Sequence, residues 1–424
     1  MSIVSCIKSA KPRTFRKIYL KRREQNGDYE TSWQQVDSEL IMKYGSVSYS
    51  VDDILPNVFK YNTGKIKFFN KDGFFSDVTE DRSFFYNKLS IYKTLVKIAG
   101  GYIDESGTEF PTVSTLFLGL MAEDYQYSED STIDFSCKHL SFVFDEIPAD
   151  LIPGLGSTQT AYTIVGRIRD FVDSNSIAIF QKYISLAAWH IDTTTSWYNM
   201  ATSTSLQNVS CWQLMEKLAV AENYVMYIDQ DGQFHFENKG VISSTPAFHF
   251  SGVGDTDKTW GHNVMKQLSI SDNIRKVYNR VRIKLNSDDT LTSYYIKNEV
   301  WNWGDSSSSF KFGVREYKYS NDWMSTATAA TIATRIYTEF VWPKQEVKLQ
   351  SKFVPQLMVE DYVTMTYKTK RYSGDALWGF FSWGGAVWGE RLGYNISLDN
   401  ADFRITNIEH SLDDFPSKIT LRAL

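Results

Sequence analysis

The residue types that could carry chemistry are spread along this sequence without the spacing that chemistry needs. The six histidines fall at no metal-ligand spacing with one another or with the three cysteines, Cys6, Cys137 and Cys211. The sequence contains no metalloprotease, serine hydrolase or P-loop motif. Adjacent acids, such as Glu123 with Asp124, are better explained as solvated turns than as a glycosidase pair. We therefore expect no catalytic site, no cofactor and no metal, and a protein that is not an enzyme.

Tryptophans give the most unusual local pattern. The stretch "WGFFSWGGAVWGERL" (378–392) repeats Trp-Gly at a spacing of five residues, which sends successive tryptophans to opposite faces of a strand. Its four glycines argue against a helix. A second pair stands in "VWNWGDSSSSF" (300–310). Both stretches are predicted to be loops, and the side chains concerned are Trp301, Trp303, Trp378, Trp383 and Trp388.

Composition limits the class of protein. The chain has 424 residues, a net charge of −5 and 27 Phe, 25 Tyr and 12 Trp, which together favour a β-rich globular protein with protein-contact surfaces. No apolar run is long enough for a membrane span, and the N-terminus lacks the apolar core of a signal peptide. Isolated cysteines indicate a reducing compartment, so we expect synthesis in a cytosol. One segment, 8–23, carries eight basic residues and no acid. It is interpreted as a basic lead-in and an edge strand rather than as a nucleic-acid arm.

Periodicity divides the chain into three parts. Residues 1–150 are predicted to form a β-barrel-like or sandwich domain, because seven short strand patterns alternate with turns; the last of these patterns is "SFVFDEI" (141–147). Residues 151–260 are predicted to form an α+β middle region. Within this region we expect two helices and one hairpin, near 161–174, 210–222 and 224–237.

The remaining part, 261–424, is predicted to form a second β-barrel-like domain. It contains a helix near 324–341, which stops before Pro343, and a Trp/Gly-rich hairpin at 376–394. The expected fold class is thus mainly β, with two barrel or sandwich domains flanking a mixed middle region. The "DQDGQ" stretch at 229–233 faintly resembles a calcium loop, but its glycine is misplaced, and a hairpin turn explains it better.

Several stretches in this order resemble the tail-tip or baseplate hub proteins of tailed bacteriophages, whose barrel domains are related to tail-tube subunits. The stretches are "GSVSYSVDDILPNVFKYNTGKIKFFNKDGFF" (45–75), "LVKIAGGYIDESGTE" (95–109), "LFLGLMAEDYQYSEDSTIDFSCKHL" (116–140), "CWQLMEKLAVAENYVMYIDQDGQFHF" (211–236), "IYTEFVWPKQEV" (336–347), "PQLMVEDYVTMTY" (355–367) and "FRITNIEHSLDDFPSKITLRAL" (403–424).

The resemblance implies a structural protein. Three copies, each giving two barrels, would form a ring that connects the tail tube to tip proteins and lets DNA pass. The implied partners are further copies in a homotrimer, the tail tube or distal tail protein, and tip or fibre proteins. The passing DNA would not be bound specifically, which suits a net acidic chain. The implied location is the virion, after synthesis in the host cytoplasm. Some such hubs carry a lysozyme or peptidase domain, and we expect none here.

Three interpretations of the tryptophan loops remain open. They could dock neighbouring tail proteins, because aromatic residues are enriched at interface hot spots. They could instead bind a host glycan by stacking, or fold over their own domain and cover its core. The second interpretation agrees with an alternative function for the whole chain, that of a receptor- or glycan-binding tail module.

Overall fold

The computed structural model describes most of the chain in fifteen ranges. These are 13–55, 57–110, 115–122, 125–174, 189–194, 196–199, 206, 208–238, 245–252, 265–285, 294–298, 307–321, 323–368, 397–414 and 416–424.

Strands dominate these ranges. In the first half of the chain they are β1 (Arg13–Lys21), β2 (Gln34–Gln35), β3 (Ile41–Lys43), β4 (Ser46–Val51), β5 (Phe59–Thr63), β6 (Ile66–Phe69), β7 (Leu95–Ile103), β8 (Glu109–Phe110), β9 (Thr115–Met121), β10 (Gln126–Ser128), β11 (Thr132–Phe135), β12 (Cys137–His139), β13 (Thr158–Thr160), β14 (Trp189–Ile191) and β15 (Trp197–Asn199). In the second half they are β16 (Tyr224–Ile228), β17 (Phe234–Asn238), β18 (Phe248–Ser251), β19 (Met265–Asp272), β20 (Arg280–Lys284), β21 (Tyr294–Asn298), β22 (Glu316–Ser320), β23 (Gln345–Lys352), β24 (Tyr362–Lys368), β25 (Ser397–Ser411) and β26 (Pro416–Ala423).

The α-helices of the described ranges are α1 (Ser141–Asp145), α2 (Ala161–Ser174), α3 (Cys211–Glu222), α4 (Ser308–Phe312) and α5 (Thr326–Phe340). Short 3-10 helices include one at Ile274–Lys276. None of these helices is long and apolar enough to cross a membrane.

Two large sheets form the body of the β structure. The first has the order β12-β9-β7-β1-β2, with β8 also on β7. The second has the order β18-β24-β25-β26-β23-β19, and β4 and β5 join it through β25. Apolar side chains of both sheets, including Ile18, Ile98, Val347, Ile405 and Leu421, share one buried core. The chain is therefore mainly β, as predicted. The sequence allowed either a barrel or a sandwich. The described strands form two facing sheets and no closed barrel.

The second sheet joins the two ends of the sequence. The first part of β25 pairs with β24, while its last residues, Asn407 to Ser411, pair with Ser50 to Ser46 of β4. The predicted domain limits at 150 and 260 stay a prediction. The pairing nevertheless shows that strands from the first 63 residues complete a sheet made by the last 180 residues or so.

Helices α2, α3 and α5 lie where periodicity predicts helices, whereas α4 was not predicted. In α3, Ser210 caps the N-terminus through its Oγ, which accepts a hydrogen bond from Gln213 N at 3.1 Å, and the Gln213 side chain completes the capping box. Asn223 ends the helix in the left-handed conformation, with φ 59°. In α5, Ser325 plays the same capping role. The hairpin of β16 and β17 turns at Gly232, whose φ of 83° is a conformation that residues with a side chain rarely adopt.

One strand prediction was wrong. The stretch 141–147 forms the short helix α1, not a strand. Its apolar residues Val143, Phe144 and Ile147 lie at helical spacing, and all three are buried in a second core with α2, α3 and α5. The adjacent apolar residues, read alone, match a buried strand equally well, so packing against the helices decided the outcome.

The basic segment of the N-terminus includes β1, which pairs with β7 along all nine residues. Its cations contact groups of the same chain. Lys17 Nζ lies 2.6 Å from Glu109 Oε1, Arg22 pairs with Glu30, and Arg16 Nη1 donates to the carbonyl oxygen of Asp413 at 3.0 Å. The interpretation of this segment as a strand is confirmed, and Arg16, Lys17 and Arg22 are paired within the fold.

Candidate interaction surface

The five tryptophans predicted to form contacts lie outside the described residues. Trp301 and Trp303 precede α4, which begins at Ser308, and Trp378, Trp383 and Trp388 fall between β24 and β25. The hypothesis that they dock a partner, bind a glycan or cover a core stays a prediction. A candidate surface must therefore be built from other residues.

The second sheet has one apolar and one polar face, because its strands alternate. Ile405 and Leu421 face the core, while Arg404 and Arg422, one position along, face the other way. A bulge between Ile405 and Asn407 keeps the following residues, Ile408 and His410, on the buried side. The result is a row of polar residues across four neighbouring strands: Glu346, Arg422, Arg404 and Tyr362.

Helix α5 contacts this polar row at Arg422. Arg422 Nη2 lies 3.4 Å from Glu339 Oε2 of the helix, and its guanidinium lies 5.1 Å from the centre of the Phe340 ring. Arg404 Nη1 pairs with Glu360 Oε2 at 2.9 Å, and both side chains are nearly buried. Burial lowers the pKa of Arg422, and the carboxylate of Glu339 opposes this shift. The described contact between α5 and this row is thus one ion pair and one cation–ring contact, both made by Arg422, while Arg404 is paired within the sheet region.

The next polar row lines an open cleft of about 450 Å³. Lys348, Thr420 and Asn407 form its floor, and the segment 50–54 and Tyr278 form its walls. Lys276 lies between two carboxylates: it pairs with Asp53, and its Nζ is 3.6 Å from Glu346 Oε2. The charged groups of the cleft are therefore mostly paired with one another.

Beside the cleft, the 3-10 helix at 274–276 leads to an exposed apolar surface. The side chains of Ile274, Phe310, Val314 and Trp342 are 46%, 50%, 48% and 40% exposed. Phe312 and Trp342 meet edge to face with ring centres 6.1 Å apart, and Lys311 Nζ lies 5.2 Å from the centre of the Trp342 ring. We call this surface the Trp342 patch; its cations are Arg275, Lys311, Arg315 and Lys344.

Hydrogen bonds hold the segments of the Trp342 patch together. Asn279 is buried, donates to Gly313 O at 2.8 Å and accepts from Arg315 N at 2.9 Å. The guanidinium of Arg315 donates to the carbonyl oxygens of Ile274 and Phe312 at 3.0 and 3.1 Å. Gly313, with φ 74°, ends α4 in a conformation that side chains rarely adopt. The patch is therefore a pre-formed surface.

Titratable groups elsewhere show structural pairing. Burial alone would lower the pKa of His235, but hydrogen bonds to Asp229 and Glu237 raise it above its usual value. Its ring stacks between Tyr227 and His190, with centres 4.5 and 4.7 Å away. In the described part of the chain, no three His, Cys, Asp or Glu side chains are grouped so that they could hold a metal. The 229–233 stretch lies at the β16–β17 hairpin, as the sequence predicts.

Sequence reasoning missed the Trp342 patch. Trp342 lies in "VWP", directly after α5, and apolar residues stand earlier in the chain at 310 and 312 in α4 and at 314 just beyond it. An alternation of this kind at the end of a predicted loop was a usable signal. The spatial link between residues 274, 310 and 342 depends on tertiary contacts that no local pattern encodes.

Similar solved structures are phage tail proteins. They include the 43 kDa tail protein of prophage MuSo2 from Shewanella oneidensis, at 13% identity and a TM-score of 0.49, covering 96% of this chain and 98% of that chain. A prophage tail protein, gp18 from Listeria monocytogenes EGD-e, has 12% identity and a TM-score of 0.48, covering 96% and 94%. A tail protein from Neisseria meningitidis MC58 has 10% identity and a TM-score of 0.48, covering 97% and 96%.

These proteins are of the class that the sequence resemblance names, bacteriophage tail and baseplate proteins. With TM-scores below 0.5, the likenesses carry no argument about what this chain binds or forms. No protein-family model and no curated protein matches the chain.

Proposed function

We propose that this chain is a non-enzymatic structural component of a bacteriophage tail tip or baseplate. In this role it is a hub that forms a ring, most simply a homotrimer, between the tail tube and the tip proteins, and DNA passes through the ring. Its partners are other copies of itself, the tail tube or distal tail protein, and tip or fibre proteins. Its location is the virion, after synthesis in the host cytoplasm.

The observation that carries the proposal is the open end of the second sheet. Among the described strands, β19 pairs with β23 on one side and has no partner on the other. Its exposed middle positions Ser269 and Ser271 carry no charge, although Lys266 and Asp272 stand near its ends, whereas β1 carries Arg13, Arg16 and Lys17 beside its own edge. Natural edge strands are normally protected by charge, so the uncharged middle of this edge favours pairing with another chain. Head-to-tail pairing of this kind generates a ring when the rotation closes.

The test is to measure the mass of the purified protein by light scattering and to image it by negative stain. We expect a trimer in the form of an annulus, with a pore of about 20 Å or more, as duplex DNA requires. The double variant Ser269→Lys/Ser271→Lys should give monomers with unchanged circular dichroism, because lysines on an edge strand oppose pairing.

The matched control is Thr334→Lys/Thr338→Lys, which adds the same charge on exposed positions of α5. It should keep the trimer. A wild-type protein that remains monomeric at all concentrations would contradict the ring, and a trimer that survives the β19 variant would place the interface elsewhere.

A second candidate is the receptor- or glycan-binding tail module. Trp197 is 70% exposed and pairs in register with Thr160, two residues before the 41% exposed Tyr162. Exposed aromatic rings of this kind can stack on sugars. If Trp197→Ala abolishes binding on a host-glycan array while the mass is unchanged, this function is favoured over the hub.

A further inference from the structure

We propose that the Trp342 patch is a docking surface for an acidic peptide segment with an apolar anchor, carried by a neighbouring tail protein. Only the source of that segment, a neighbouring tail protein, rests on the proposed function. The chemistry of recognition is argued from the patch itself.

The first argument is the exposed apolar area. Four large apolar side chains from three separate segments, Ile274, Phe310 with Val314, and Trp342, all lie more than a third exposed on one surface. A cluster of exposed apolar groups on a soluble protein marks a contact site more often than scattered single residues do. Tryptophan is also enriched among the residues that dominate binding energy. The patch thus offers a site for one apolar side chain of a partner.

The second argument is charge. The segments 272–276, 308–316 and 341–346 hold the four cations of the patch, a fifth cation, Lys276, that is paired with Asp53 and Glu346, and three carboxylates, although the whole chain has a net charge of −5. Two of those carboxylates are already paired, Glu316 with Arg280 and Arg282, and Glu346 with Lys276 and Lys348. The third is Asp272, at the end of β19. The patch therefore has an excess of positive charge, which favours an acidic partner.

The third argument is rigidity. Three hydrogen bonds, 2.8 to 3.0 Å long, join the residues after α4 to Ile274 and Asn279, and a fourth, of 3.1 Å, ties Arg315 to the end of α4. The amide of Asn273 also donates to Lys344 O at 3.0 Å. A surface held in this way loses little conformational entropy when it binds, so even a short segment can bind measurably.

The test uses the full chain and four short synthetic peptides, with binding measured by calorimetry. The peptides are acidic with one Trp, acidic without an aromatic residue, neutral with one Trp, and basic with one Trp. We expect the first to bind tightest, with the loss of either the charge or the Trp weakening binding at least about fivefold. Raising the salt concentration should weaken the binding of the acidic peptide, because exposed charges are screened.

The decisive variant is Arg275→Glu/Lys311→Glu, since both side chains are exposed and neither makes one of the hydrogen bonds that join the segments of the patch. It should weaken binding of the acidic Trp peptide about tenfold. Phe310→Ser tests the apolar part separately and should weaken it by a similar factor. The matched control is Lys71→Glu/Arg82→Glu, two exposed cations of the N-terminal region, which should change binding less than about twofold.

The proposal fails if the neutral or basic peptide binds as tightly as the acidic one, or if the Arg275/Lys311 variant binds like the wild type. If that variant instead lowers the mass of the assembly, a second copy of the chain covers the patch, and the acidic-segment proposal is overturned. Because peptide binding is measured whatever the oligomeric state, its failure is distinguishable from the failure of the ring.

Discussion

The two faces of the second sheet differ in what holds them. On one face, Ile405 and Leu421 are fully buried against the first sheet and enclosed by other apolar groups. On the opposite face, the residues beside them, Arg404 and Arg422, form ion pairs under α5, and Thr420 lines the open cleft. The same strands thus make an apolar contact and a polar one, separated only by the alternation of side chains.

The two faces therefore contribute differently, one to the stability of the fold and the other to the placement of the helix-bearing part on the sheet. Apolar burial is non-directional and contributes roughly 25 cal/mol for each Å² removed from water, so the apolar face supplies most of the stability of the sandwich. Ion pairs add little net energy when buried, but they require one geometry. The polar face therefore determines how the helix-bearing part sits on the sheet, and with it the position of the cleft and the Trp342 patch.

The largest expected effect comes from the apolar face. Leu421→Ala should lower the free energy of unfolding by about 3 kcal/mol, because it removes buried methyl groups and leaves a cavity. Its neighbour on the other face gives the matched comparison, since Thr420→Ala should cost less than about 0.5 kcal/mol. Urea unfolding of both variants measures the contrast. Equal losses would show that the two faces do not differ in the way described.

The second effect concerns the ion pairs. Arg404→Met should cost about 2 kcal/mol, because the Glu360 carboxylate loses its guanidinium in a nearly buried site. The double variant Arg404→Met/Glu360→Gln should recover about 1 kcal/mol of this loss, since no unpaired charge is then left behind. A double-mutant cycle in urea measures the coupling. If the two losses simply add, the pair contributes nothing to the stability of the polar face.

Local patterns were enough to predict most elements. Helices α2, α3 and α5 follow from apolar spacing and from caps such as Ser210, and the β16–β17 hairpin follows from its turn at Gly232. The fate of "SFVFDEI" could not be predicted, because its apolar residues suit a strand or a helix until α2 and α3 are packed against it. Local rules decide an element only when one period clearly fits.

The candidate surface was much less predictable. The pairing of β4 with β25 joins residues more than 350 positions apart, and nothing in either strand encodes its partner. The Trp342 patch has the same origin, because Ile274 and Trp342 become neighbours through the hydrogen bond from Asn273 to Lys344. The sequence predicted that tryptophans form a contact surface, but the five it pointed to lie outside the described residues, and Trp342 was not among them.

The smallest effect sharpens the comparison at one carboxylate. Asp361 follows Glu360 directly, but its carboxyl is buried, and burial raises its pKa to about 6. One hydrogen bond, from the amide of Met358 at 2.8 Å, opposes this shift. A raised pKa means that the folded state holds the proton more tightly than the unfolded state does. The stabilising contribution is therefore complete below the usual value near 3.8 and is lost as the pH rises through about 6.

Asp361→Asn should remove that loss, because an amide stays neutral and its oxygen can still accept from the Met358 amide. We expect the variant to be more stable than wild type by about 1 kcal/mol at pH 7.5. The gain should shrink as the pH falls below about 6 and reach zero below about 3.8, where the wild-type carboxyl is protonated in both the folded and the unfolded state. The exposed Asp414→Asn gives the control, with no gain at either pH. A gain that does not depend on pH would mean that the pKa of Asp361 is the same in the folded and unfolded states, and so is not raised by burial.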